Sequence, residues 1–156
     1  MSAGPVKIIE WTPEIAVHVP EIDREHRGMF DLLNRLHQAM LAGKGKNILK
    51  PLLGEVTQYT LVHFAHEEEL MAAVSYPGLR EQVEQHQALR RRTRVFAERY
   101  QRGEVTMTIE LTLFLAEWLK DHIMTVDRRL GEFINANGSA PAPPVSAKKR
   151  HPHRPR

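Results

Sequence analysis

Between Glu21 and Gly43, apolar and histidine positions recur every three or four residues: Ile22, His26, Met29, Phe30, Leu33, Leu36, His37 and Met40. That period predicts an amphipathic helix from Glu21 that stops at Gly43. Lys44 to Lys50 reads as a turn region, with Gly45 and Asn47 as breakers. A second periodic segment carries Leu52, Leu53, Val56, Tyr59, His63, Phe64, Glu67, Leu70, Met71 and Val74. Pro51 suits only the first turn of such a helix, because a proline deeper inside removes a hydrogen bond. Ser75-Tyr76-Pro77-Gly78 breaks it, and a third helix turns Leu79, Val83, His86, Leu89, Val95 and Phe96 inward before Gly103 closes it. Thr106 or Thr108 can cap a fourth, with Ile109, Leu111, Phe114, Leu115, Trp118, Leu119, His122, Ile123, Val126, Leu130 and Phe133 on its inner face.

No segment alternates as a strand does, and the connections are short. Helices of about 20–28 residues, or ~30–40 Å each, predict an all-α fold, an antiparallel up-down four-helix bundle. Residues 1–20 hold Pro5, Pro13 and Pro20 among scattered apolar positions, so they read as an extended N-terminal arm. Residues 138–156 contain five prolines and a basic cluster and read as a disordered C-terminal tail. The expected organisation is one domain over 1–137, followed by that tail.

Charge changes the picture only when divided along the chain. The formal net charge is +3, but five of the 22 basic residues (Lys148, Lys149, Arg150, Arg154, Arg156) lie in the tail, which has no acid. The body keeps 17 basic against 19 acidic residues. It has no basic surface of the kind that binds nucleic acid. No apolar run approaches the ~18 residues of a membrane helix, so no membrane insertion is expected. Met1 to Trp11 lacks the apolar stretch of a signal peptide, and a cytoplasmic protein is the expectation. The chain has no cysteine, which excludes disulfides, thiolate metal sites and thiol nucleophiles.

It does have nine histidines. Five of them, His26, His37, His63, His86 and His122, fall on the inward helix faces. Any one alone is most simply a hydrogen-bonded core residue. Imidazoles buried from all four helices are harder to explain, since each needs a partner or costs free energy, and a metal would satisfy several at once. Glu67 lies four residues after His63, so the two side chains point the same way. Asp127 lies five after His122, about 140° round an α-helix, a weak pairing on spacing alone. Imidazoles with carboxylates and no sulfur suit iron or manganese, with zinc possible. His37, three turns and ~16 Å beyond His26, is too distant for the same cluster. His18 and His66 read as surface or outer residues, and His151 and His153 belong to the tail.

Competing patterns fail. No histidine has glutamate three residues before it, as ferritin-like di-iron bundles require. His66-Glu67 is not followed by the second histidine of a zinc protease, since that position is Leu70. There is no Gly-x-Ser-x-Gly and no phosphate loop.

The segments Ile22-Asp23-Arg24-Glu25-His26, Tyr59-x-x-x-His63-Phe64-x-x-Glu67-Glu68-x-Leu70-Met71, Tyr76-Pro77 and Trp118-x-x-x-His122-Ile123-x-x-x-Asp127 together resemble the hemerythrin family, specifically the bacteriohemerythrins. The likeness spans about residues 8–135 and includes the early Trp11. It implies a four-helix bundle around two non-heme iron ions, a di-iron centre that binds dioxygen reversibly at one iron. By the same resemblance His26 and His63 bind the oxygen-accepting iron, His86 and His122 bind the other, and Glu67 and Asp127 bridge them. Phe30, Phe64, Leu119 and Ile123 would keep water out. The implied role is oxygen storage, delivery or sensing, with a di-iron redox enzyme acting on peroxide or nitric oxide as the alternative.

One position departs from the pattern. The family places a histidine four residues before the one matching His86, and here that residue is Gln82. Gln82 could ligate through its amide oxygen, water could take the place, or His66 or Glu81 could substitute.

Overall fold

The computed structural model describes residues 7–104, 106 and 109–137. The expected disordered tail, 138–156, and the cap at Thr108 lie outside the described residues. Among those described, all regular structure is helical: α1 Pro20–Leu41, α2 Lys46–Ala73, α3 Leu79–Gln101, α4 Ile109–His122 and α5 Arg128–Ala136. A π-helical turn, Ile123–Asp127, joins α4 to α5, so the last two helices form one continuous column. The fold is a four-helix bundle in which α1 packs on α2 and α4, and α2 packs on α3. Among the described residues, no helix is long and apolar enough to cross a membrane.

The helix ends follow from local chemistry. Pro20 opens α1, with Glu21 and Asp23 in the first turn complementing the positive end of the helix. Three helices stop by the same device. Gly43, Ser75 and Gly103 all take positive φ, and each stop carries a pair of backbone bonds returning to the last turn. At the end of α1 these are Gly43 N–H to Met40 O and Lys44 N–H to Ala39 O, both 3.0 Å. Glycine adopts this conformation freely, whereas Ser75 (φ 53°) adopts it at a cost and is followed within two residues by Pro77.

Three features differ from the sequence expectation. Helix α2 begins at Lys46 rather than after Lys50, so Pro51 sits inside its second turn. The Gly45 and Asn47 breakers delay the helix less than their propensity suggests, because Leu49, Leu52 and Leu53 are buried against Leu36 and Tyr100. Val95, Ile109 and Phe114, expected inside, are exposed, because the apolar stripe on α3 and α4 is narrower than the alternation of large residues implies. The fourth helix is interrupted by the π turn, which no propensity in Ile123–Asp127 announces.

The arm does not hang free. Ile9, Ile15, Val17 and Val19 are buried with Ile22, Phe30, Ile123 and Leu130 at one end of the bundle. Asp23 accepts the Val17 N–H (2.8 Å), Asn135 donates to His18 O (3.1 Å), and Arg128 donates to Glu14 O. Gly131 lets the arm pass: a Cβ there would strike Val17 O. The arm thus clamps the end of the bundle that carries the π turn. His37 is buried near the other end, with Nδ1 3.0 Å from Thr112 Oγ1, as expected of a hydrogen-bonded core histidine.

Candidate metal centre

All four helical columns deliver a side chain to one buried point. His26 comes from α1, His63 and Glu67 from α2, His86 from α3, His122 from the end of α4 and Asp127 from the end of the π turn, while Gln82, one turn before His86 on α3, is held at the Val126 carbonyl of the π turn. Each is buried. On α2, the four-residue spacing of His63 and Glu67 sets Nε2 3.3 Å from Oε1. His122 Nε2 lies 3.3 Å from Asp127 Oδ1. The π turn explains that second distance. Its i→i+5 bonding, with Arg128 N–H reaching Ile123 O, widens the turn and brings residues five apart onto one face.

The ligand-capable atoms form two overlapping groups. His26, His63, Glu67 and Asp127 present donor atoms within 4.8 Å of one another, and so do Glu67, His86, His122 and Asp127. Both carboxylates belong to both groups. Asp127 Oδ2 is 3.1 Å from His26 Nε2, and Glu67 Oε2 is 3.7 Å from His86 Nε2. Yet Nε2 of His26, His86 and His122 and all the oxygens of Glu67 and Asp127 lack a partner in hydrogen-bond geometry among the described residues. Buried polar atoms that crowd together without bonding one another are arranged for a third party at their centre. Nitrogen and oxygen donors with no sulfur fit iron, manganese or zinc.

Outer residues fix three of the imidazoles. His63 Nδ1 is 3.4 Å from Glu25, His86 Nδ1 3.2 Å from Glu68, and His122 Nδ1 3.0 Å from the Gln85 amide oxygen. Such partners hold the Nδ1 proton and turn Nε2 toward the metal position. Arg90 in turn holds Glu68 (3.4 Å). Aromatic faces complete the packing: Phe64 stacks on His86 at 3.9 Å and Trp118 on His122 at 4.8 Å. The roles of Glu25, Glu68, Gln85 and Trp118 are not evident from sequence. The signal available is that the first three each adjoin a site residue in the chain.

His66 and Glu81, candidate substitutes for the missing histidine, are not brought to the site. His66 is 58% exposed and bonds Glu25 at 2.8 Å, and Glu81 pairs with Arg129 on the surface.

Without a metal, the charges balance internally. Burial pushes the His63 imidazole down, but the adjacent Glu67 charge and the bond to Glu25 overcome it, raising it to about 10. Burial, with His122 beside it, pulls His86 down to about 3. Burial raises Asp127, but the adjacent His122 and His26 more than offset this and hold its carboxyl well below the usual range. Burial and the Asp127 charge raise Glu67.

Comparison with known proteins agrees with this architecture. The hemerythrin HHE cation-binding domain matches residues 17–134. A bacteriohemerythrin of Stenotrophomonas maltophilia is 30% identical over 130 residues, covering 83% of this chain and 84% of that protein. One from Pseudomonas aeruginosa is 32% identical over 117 residues, 75% of each chain. A crystal structure of a wild-type hemerythrin superposes with a TM-score of 0.75 at 27% identity, covering 80% of this chain and 95% of that one. With a four-helix bundle, paired donor groups sharing two carboxylates, and a domain match over most of its length, this chain belongs to the hemerythrin family.

Proposed function

We propose that the site holds two non-heme iron ions and that the chain, read as a single domain over 1–137, is a dioxygen-binding protein serving oxygen storage, delivery or sensing. The observation that carries this reading is the pair of donor groups with Glu67 and Asp127 in common. Shared anionic carboxylates hold two cations close. His26 and His63 would hold one ion, and His86 and His122 the other. When bound, the iron pair supplies the electrons for reversible capture of dioxygen. The chain supplies the rest. Glu25, Glu68 and Gln85 orient imidazoles, while Phe30, Phe64, Leu119 and Ile123 exclude water. A cavity of about 60 Å³ against Phe64, Trp118 and Leu119 is predominantly apolar, which favours a small apolar gas over water.

The test is a visible spectrum of iron-loaded protein in air, after reduction, and after renewed exposure to air. A reversible oxygen-dependent change with near two irons per chain is expected. Less than about one iron per chain after iron-replete expression overturns the reading, leaving a bundle with structural histidines. Gln82, where an imidazole is expected, favours a second reading: a di-iron redox enzyme acting on peroxide or nitric oxide. Peroxidase turnover well above that of free iron, with no stable oxygenated spectrum, would select it.

A further inference from the structure

We propose that the side-chain oxygen of Gln82 is itself a metal donor, completing the position formed by His86, His122, Glu67 and Asp127. The inference rests on the two-metal reading of the site and concerns how this particular chain builds its second half. Gln82 lies one turn before His86, so both project from the same face of α3. It is 1% exposed. Its Nε2 donates to Val126 O at 3.2 Å, and Val126 immediately precedes Asp127 in the π turn. That bond decides which way the amide points. A carbonyl can receive only the NH₂ end, so the oxygen is directed away from Val126. Gln82 Oε1 is then buried without a hydrogen-bond partner among the described residues, as are the Nε2 atoms of His86 and His122.

A buried amide oxygen left bare forfeits its hydration without replacement, and a native structure that keeps one needs a reason. A cation held by His86, His122 and the two carboxylates would satisfy this oxygen together with their own unpaired atoms. A glutamine that served only to bond Val126 would leave that cost unmet. The π turn contributes twice over. It brings Asp127 onto the His122 face, and its Val126 carbonyl anchors the amide.

The donor type has a consequence. An amide oxygen is neutral and hard, whereas imidazole is a stronger ligand for later transition metals. A third imidazole would favour filling the second position first. With Gln82 there, each position has two imidazoles and the same two carboxylates, so the advantage of the second position shrinks.

Cobalt(II) titrated anaerobically into metal-free protein, with a competing chelator and a visible spectrum, tests this without any activity measurement. Two cobalt ions per chain are expected. Gln82→Leu should weaken one binding step at least about tenfold, leave the other unchanged, and intensify the cobalt band as coordination number falls. Gln82→His should strengthen the same step. Should Gln82→Leu lose its helical circular dichroism, Gln82→Asn withdraws the oxygen by one methylene and carries the same expectation. If either folded variant binds both ions with unchanged affinity and spectrum, Gln82 is not a donor, while the two-metal reading survives. If the wild type fails to take two ions, both fall together.

Discussion

Acidification should strip metal from this site, and the surroundings of His63 set how steeply. The imidazole is 2% exposed and, with Glu67 and Glu25 against it, is held at about 10 in the metal-free chain. Near neutral pH it therefore carries a proton that must leave before Nε2 can bind a metal. The roughly three-unit gap lowers apparent affinity on the order of a thousandfold relative to a neutral imidazole. Affinity then rises about tenfold per pH unit from this residue alone. His86, pulled down to about 3, is already neutral and adds nothing across that range. The metal-free chain responds with the opposite sign. A histidine held above its unfolded value of about 6.5 stabilises the fold fully below that pH, and the contribution disappears as pH rises through about 10. Glu67, raised by burial and by Asp127, acts in the same direction. Zinc(II) competition with a chelator from about pH 6 to about pH 8, and calorimetric melting of both forms from about pH 7 to about pH 9, above the range where the depressed His86 acts with the opposite sign, read the two effects. Melting of the metal-free form should fall with rising pH while the loaded form holds or gains. An affinity slope shallower than about twofold per pH unit, or parallel melting trends, refutes the reasoning.

Three further outcomes follow from packing and backbone freedom. Gly131→Ala drives a methyl into Val17 O and must lift the arm, an overpacking cost of about 1–3 kcal/mol, or roughly 3–9 °C in melting temperature for a chain of this size. Gly54→Ala, on an exposed turn of α2 with nothing within 4 Å, should raise stability by about 0.5–1 kcal/mol, and equal melting of these two variants would contradict the arm contact. Phe64→Ala removes the ring stacked on His86 and should cost about 3–5 kcal/mol in chemical denaturation, with weaker metal retention on dialysis; a loss below about 1 kcal/mol would mean Phe64 does not seal the site.

The bundle was readable because its apolar period is α-helical almost throughout, and His26, His63, Glu67, His86 and His122 all keep that phase. Asp127 does not. Counted at α-helical pitch it stands well round the helix from His122, and only the π turn brings the two within 3.3 Å. Such a turn is held by packing around it, here the arm against Ile123 and Leu130, rather than by the propensities of its own residues. The start of α2 was hidden for a related reason. Gly45, Asn47 and Pro51 oppose a helix locally, and the burial of Leu49, Leu52 and Leu53 outweighs them. Glu25, Glu68 and Gln85 were invisible because an outer partner is defined by the neighbouring helix, and a single sequence does not reveal which charged residue faces which neighbour.

Those three residues form a pattern with a consequence for how evenly the site is held. Glu25 precedes His26 on α1 and serves His63 on α2. Glu68 follows Glu67 on α2 and serves His86 on α3, and Gln85 precedes His86 on α3 and serves His122 on α4. A residue next to a ligand is offset by about 100° on its helix, which turns it toward the adjacent helix. Each column thus steadies the imidazole of the next, and three Nδ1 protons are fixed with Nε2 facing inward. The circuit does not close. His26 is completely buried, yet its Nδ1 has no partner among the described residues, and packing alone orients it. Its Nε2 nevertheless lies 3.1 Å from Asp127, the carboxylate that depends on the π turn. The His26–Asp127 edge is therefore held by the packing around it and by the irregular turn rather than by an outer hydrogen bond to His26.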